Sequence, residues 1–391
     1  MKSMKGCVIT HRGFEDVCAR EVNELIRAKA ELHPSAVTFE IKSYADLCKL
    51  SYCMQSGIKV LCLFSLFQFK DETDLLKKSV SAINDSELGE WLGKDSSFRV
   101  RLGHSACPEL VRSRIESELG AAIVSQARKS LGFEPAVDLD SPEITFFIYA
   151  CTDFCFLGVD FSGTDISKRD YKIFALSSSP KGSIAYCLLR ASGAGKDSVV
   201  LDPFCGAGII PIEAARFSSG FPNNYYFKDK LAFQRLKALS RKSTELILKK
   251  ADKSISVEGN ARVLGFDASL KSVKGAQKNA KIAGIHKQVS FSKVSIEWLD
   301  TKLDKESVDV IVTRPPGMGK YADRKETEKT YKELFYQAEF ILKKKGVVAA
   351  ISDKDKHLIE AAEKSSFSLA GKREVWQGQE KKFVLTFARK A

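Results

Sequence analysis

Apolar positions along the chain follow two rhythms. Short apolar runs at 7–10, 37–41, 60–67, 98–102, 143–150 and 155–160 read as strands, and residues at helical spacing lie between them over 14–28, 44–55, 75–83 and 108–130. In the last of these stretches Leu110, Ile115, Leu119, Ile123 and Ala127 make one apolar face. Strands and helices mixed in this order predict two small α+β units. Further on, strands at 199–202, 263–267, 289–296, 308–313 and 346–352 alternate with helices from 209 and over 270–283, 328–342 and 356–364, and a strand pair at 373–377 and 382–389 closes the series. Regular alternation of this kind predicts an α/β layer structure.

Length and charge narrow the picture. A chain of 391 residues is too long for one typical core and suggests two or three domains. Lys and Arg number 62 against 49 acidic residues, a formal net charge of +13, which favours a polyanionic partner. The ten cysteines sit singly among apolar residues with no CxxC pair, and the five histidines are scattered, so reduced core thiols are expected and a zinc site or other metal is not. No apolar run reaches the roughly 20 residues of a membrane span, and a cytoplasmic location is the expectation. A polar, Lys-rich segment at 216–257, with the sequence FPNNYYF at 221–227, interrupts the alternation. It is expected to be a solvated helical elaboration, RNA contact through its aromatic and basic residues being the other reading.

The richest chemistry lies at 199–208, VVLDPFCGAG, followed by the helix-like IIPIEAA. An apolar strand, a turn with two glycines and a helix make a loop whose backbone can approach a ligand closely. It carries neither the G-x-G-x-x-G of a dinucleotide fold nor the Lys-Ser or Lys-Thr ending of a P-loop. Asp267 ends the next strand, where a carboxylate suits paired ribose hydroxyls, as in dinucleotide folds, or caps the following helix. The loop resembles that of class I S-adenosylmethionine-dependent methyltransferases, in the D-P-x-C-G-[SA]-G form of nucleic-acid N-methylating enzymes. The resemblance implies S-adenosyl-L-methionine as cofactor. Asp202 would lie by its methionine moiety, with Ser183 at the same end, and Cys205, Gly206 and Gly208 would form the close-approach loop. Asp267 would hold the ribose. Ser295 stands where the family has an Asp that accepts from the adenine amine, so weaker adenine recognition is expected.

Upstream, FRVR at 98–101, the long helix and VDLDSPEI at 137–144 resemble the RNA-binding THUMP domain, over 70–165. THRGFED at 10–16 resembles the ferredoxin-like domain that precedes THUMP, over 1–69. KRDYK at 168–172 and PKGSIA at 180–185 match the linker and lead-in helix of THUMP-linked guanine-N2 methyltransferases, giving 166–195 as linker and 196–391 as the methyltransferase domain. An insertion like 216–257 occurs in the related 23S rRNA enzymes. The fold expected is therefore α/β, a C-terminal Rossmann-like class I methyltransferase domain behind α+β ferredoxin-like and THUMP domains. What the resemblance implies is methyl transfer to the N2 amine of guanosine in tRNA, or in another structured RNA such as 23S rRNA, by a monomer. Arg99, Arg101, Arg112, Arg114 and Arg169 are the candidate RNA contacts.

The catalytic motif departs from the family. Following Thr313 at the strand end, itself counted with the catalytic site, Arg314, Pro315, Pro316 and Gly317 occupy the place of [DN]-P-P-[YF], whose acid or amide accepts from the target amine and whose ring stacks on the base. Arg314 accepts no hydrogen bond, although it can stack or grip a phosphate, and Gly317 cannot stack. Tyr321 is a candidate substitute ring. The alternative is an RNA-binding protein that has lost catalysis; the intact loop at 202–208 and Asp267 favour an enzyme with an altered pocket.

Overall fold

The computed structural model describes residues 4–83, 85–103, 107, 109–176, 179–256, 261–317 and 323–390. The chain forms two units, 1–166 with 224–253, and 167–223 with 254–391. 

In the first unit, β1 (Lys5–Ile9), β2 (Ala30–His33), β3 (Ala36–Glu40), β4 (Lys59–Gln68), β5 (Ser97–Gly103), β6 (Ala136–Val137), β7 (Ile144–Cys151) and β8 (Phe154–Asp160) make one sheet of order β2-β3-β1-β4-β8-β7-β5-β6. The two expected α+β units thus share a sheet, joined where β4 pairs antiparallel with β8 from Leu61↔Asp160 to Gln68↔Phe154. Alternation along the strands sorts the faces. Phe98, Val100, Leu102, Ile144, Phe146 and Ile148 point to the main core with the helices, among them Arg112–Leu131, whose buried residues are Ile115, Leu119, Ile123 and Ala127. Leu61, Leu63, Phe147, Tyr149 and Phe156 form a smaller cluster with the opposite alternation.

The segment expected as a solvated elaboration belongs in part to this first core. Phe233, Leu236, Leu248 and Ala251 join the main cluster, the Asn224 Nδ2 donates to the Ser51 carbonyl (2.8 Å), and the Tyr52 hydroxyl donates to Asp252. The expected 196–391 stretch is thereby interrupted by residues that pack elsewhere. Thr244, Leu248 and Ala251 of the helix Arg241–Lys253 are buried and most of the other residues are charged, which is why its composition reads as solvated.

The second unit carries β9 (Val200–Asp202), β10 (Val263–Asp267), β11 (Val289–Lys293), β12 (Val308–Thr313), β13 (Leu342–Ser352), β14 (Phe367–Gln377) and β15 (Glu380–Arg389) in the order β11-β10-β9-β12-β13-β15-β14. The first five are parallel, and β15 inserts antiparallel between β13 and β14. Because the chain leaves β9 for β10 on one side and returns to β12 on the other, the carboxyl ends of β9 and β12 flank a topological switch point, where open α/β sheets bind ligands.

Candidate active site

The loop after β9 is shaped by backbone that only glycine adopts freely. Gly206 has φ +50° and Gly208 φ +79°. A Cβ on Gly208 would lie 2.7 Å from the Ala276 Cβ and 3.0 Å from the Phe291 ring, so this glycine lets the helix Ile209–Ser219 approach β11 and the helix Leu270–Ile282. Cys205 N donates to the Phe266 carbonyl (2.8 Å), which ties the loop to β10. Asn279, a residue the sequence reading missed, is fully buried and donates from Nδ2 to the carbonyls of Ala207 (2.9 Å) and Phe174 (2.7 Å). An amide inside the otherwise apolar face of a helix was the available signal.

Two carboxylates flank the loop. Asp267 accepts from Gly206 N (2.9 Å) through one oxygen and from Ser269 N (2.8 Å) through the other, and each oxygen keeps a lone pair. Asp202 is buried and accepts from the Thr313 hydroxyl (2.7 Å) and Phe204 N (3.2 Å). Burial, with Asp267 adding to it, pushes the Asp202 carboxyl up to about 7 in spite of these two donors. An acid whose folded value is raised loses stability as pH climbs from its unfolded value, near 4, toward 7. The unliganded protein is therefore expected to be less stable at pH 8 than at pH 5 by an amount on the order of 3 kcal/mol from this group, about 1.4 kcal/mol for each pH unit between 5 and 7. Thermal melts across that range test this: Asp202→Asn should flatten the dependence, and an unchanged slope would refute the assignment.

Asp202, Cys205, Gly206 and Arg314 line one cleft together with Ser179 and Pro180. Ser183 is fully buried in the helix Gly182–Ala191 and does not line this cleft. Ser295 lines a separate cavity with Ala268 and Trp298, and its hydroxyl donates to Glu297.

At the end of β12, Thr313 is taken by Asp202 and Arg314 turns toward the end of β13, where its Nη2 donates to Asp353 (3.0 Å). Lys382 of β15 donates to the other Asp353 oxygen (2.6 Å). Burial opposes the ionised form of Asp353, yet Lys382 and Arg314 outweigh it and hold the carboxyl below its usual range. Pro315 is buried, the Pro316 carbonyl accepts from the Tyr331 hydroxyl (2.6 Å), and a Cβ on Gly317 would stand 4.0 Å from Asp353. Tyr321 lies outside the described residues. Asp353 and Lys382 were not among the sequence candidates.

Arg169 requires a correction. Its side chain is 1% exposed and forms two parallel hydrogen bonds to Glu213, 2.8 and 2.9 Å, so it cannot reach RNA. The Tyr171 hydroxyl donates to the same carboxylate (2.6 Å), and a Cβ on Gly182 would meet Arg169 at 2.4 Å. The R-x-Y of the linker and the glycine of the lead-in helix thus fasten Arg169, Tyr171 and the start of the helix Gly182–Ala191 to the helix that follows the loop. In the first unit, Arg99 and Arg101 line one cavity, whereas Arg114 pairs with Glu118 (2.7 Å) and Glu72 (3.2 Å) and Arg112 faces Glu116 (4.0 Å).

This strand order with a glycine loop and two carboxylates at the switch point defines a class I methyltransferase fold. Residues 169–382 match the RMKL-like methyltransferase domain, and the chain belongs to that family, whose methyl donor is S-adenosylmethionine. Residues 70–160 match the THUMP domain. The tRNA (guanine(6)-N2)-methyltransferase of Methanocaldococcus jannaschii is 26% identical over 282 residues, 72% of each chain. The ribosomal RNA large subunit methyltransferase K/L of Buchnera aphidicola subsp. Schizaphis graminum is 24% identical over 342 residues, 86% of this chain but 47% of the relative, so the chain spans about half that protein's length. The crystal structure of a possible methylase from Clostridium difficile 630 superposes with TM-score 0.83 at 20% identity, covering 100% of this chain and 99% of the other, a likeness of fold. Among the described residues, no helix is long and apolar enough to cross a membrane, and no group of three or more His, Cys, Asp or Glu is placed to hold a metal ion.

Proposed function

We propose that this chain methylates the N2 amine of a guanosine in tRNA with S-adenosylmethionine as donor. The observation that carries this reading is the Asp202–Gly206–Asp267 arrangement at the switch point of a chain that belongs to a methyltransferase family and carries a THUMP domain. The residues fit the donor: the free lone pairs of Asp267 suit the ribose hydroxyls, and the buried Asp202 carboxyl suits the cationic methionine end. When bound, the donor supplies an electrophilic methyl group. The chain's own task is to hold the amine in line and accept the hydrogen that the amine must release. Arg314 has no acceptor, and Asp353, fixed beside it by Lys382, takes that part in our reading. Large-subunit rRNA is the other substrate, supported by the K/L relatives; tRNA is favoured because the archaeal tRNA relative matches over 72% of both chains.

Nucleosides from the tRNA and rRNA of a deletion strain, separated by mass spectrometry, test the proposal. Loss of N2-methylguanosine from tRNA is the expected result. Loss from rRNA alone would move the substrate, and unchanged RNA in both fractions would end the reading. In a transfer assay, Arg314→Ala and Asp353→Asn are each expected to slow methylation by at least tenfold, about 1.4 kcal/mol of barrier, with donor affinity within about threefold of wild type. Full activity in both variants would place the acceptor elsewhere.

A further inference from the structure

Strand register brings three cations to one place on the first unit. In the parallel pair β5–β7, Arg99 stands opposite Thr145 and Arg101 opposite Phe147, while Phe147 faces Gly158 on β8, where no side chain projects. Asp160 and Lys59 follow at the near ends of β8 and β4. Together with Gly163 these side chains line a cavity of about 240 Å³, on the sheet face carrying the smaller apolar cluster.

The charges there are not balanced. Asp160 accepts from Ser162 N, the Ser162 hydroxyl and Gly163 N through one oxygen and from Lys59 through the other, so it neutralises Lys59 and no more. Arg99 spends Nη1 on the Leu139 carbonyl (2.8 Å) and feels Asp138, but its buried Nε has no hydrogen-bond partner. Arg101 is exposed and makes no ion pair or hydrogen bond among the described residues. Two guanidinium groups two residues apart on one strand face repel each other, and an unpaired buried donor adds to the cost. An anion in the cavity would relieve the repulsion.

We propose that this cavity is an anion site that takes one phosphodiester of an RNA strand, with the Arg99 and Arg101 guanidinium groups and the Thr145 hydroxyl as donors and the Phe147 ring under the sugar. A guanidinium fork matches two phosphate oxygens, and the volume accommodates a phosphate with its ribose. The site is built by β4 and β8 as well as β5 and β7, so it needs both halves of the eight-stranded sheet. The identity of the strand as RNA rests on the function proposed above.

Labelled tRNA binding by the full chain tests this. Arg99→Gln with Arg101→Gln is expected to weaken binding by at least tenfold and to make the salt dependence shallower by about 1.5 in logarithmic slope. Arg112→Gln with Arg114→Gln, which removes the same charge from ion-paired positions, should cost less than about threefold. Arg101→Gln alone, at an exposed position, guards against loss of fold. Equal losses in both double variants, or none in the first, would overturn the site. Wild type that binds tRNA through this cavity but methylates no guanosine would leave the site standing and end the catalytic reading. Wild type that methylates tRNA, with an equally effective first double variant, would do the reverse.

Discussion

Replacing Glu213 with Gln is expected to destabilise the protein by about 3–5 kcal/mol, a large share of the about 5–15 kcal/mol that holds a typical domain folded. Glu213 is fully buried and serves two guanidinium groups at once. Arg169 meets it edge to edge, and the fully buried Arg216 lies in its field while stacking 5.3 Å from the centres of the Tyr171 and Phe221 rings. Burial opposes ionisation of Glu213, yet the two arginines and Tyr171 bring its carboxyl down to about 2. A lowered folded value contributes stability above the unfolded value near 4.5, lost as pH falls toward 2. The Gln variant should therefore lose that acid sensitivity along with its stability. Urea denaturation supplies the measurement, and a loss below about 1 kcal/mol would contradict the buried-charge account. The pair Arg169→Met with Glu213→Leu should recover only part of the loss, because Arg216 would remain without a carboxylate.

The same cluster marks where sequence reasoning stopped. The alternation of strands and helices, the loop at 202–208 and the acid ending β10 follow from local patterns, and the strand order agrees with them. Arg169 reads as a linker cation because its partner stands 44 residues away. Asp353 is a solvent-side acid at a strand end until the parallel pairing of β12 with β13 brings that end beside Arg314. The segment 224–253 misleads through composition: a few buried positions among many lysines are enough to anchor a helix, but too few to register as apolar periodicity. In each case the missing information is a long-range contact between residues whose local surroundings are ordinary.

Asp267→Ala should reduce donor affinity by more than about 100-fold, since two hydrogen bonds to a charged acceptor are worth about 1.5–3 kcal/mol each. The carboxylate also shapes the loop through Gly206 N, so part of the loss would come from a displaced backbone. Gly206→Val separates the two contributions. It leaves Asp267 in place but forces a β-branched residue into φ +50° with a Cβ 3.2 Å from Leu176, a side chain lining the same cleft. Its expected effect is loss of binding with a thermal midpoint near that of wild type, because the clash points into the cleft. Gly208→Val should act differently: its Cβ would strike Ala276 at 2.7 Å, and the protein should unfold at lower temperature whether or not donor is present. Titration calorimetry with S-adenosylmethionine, run beside thermal melts, distinguishes these outcomes. Wild-type affinity in folded Asp267→Ala or Gly206→Val would remove the cofactor from this loop.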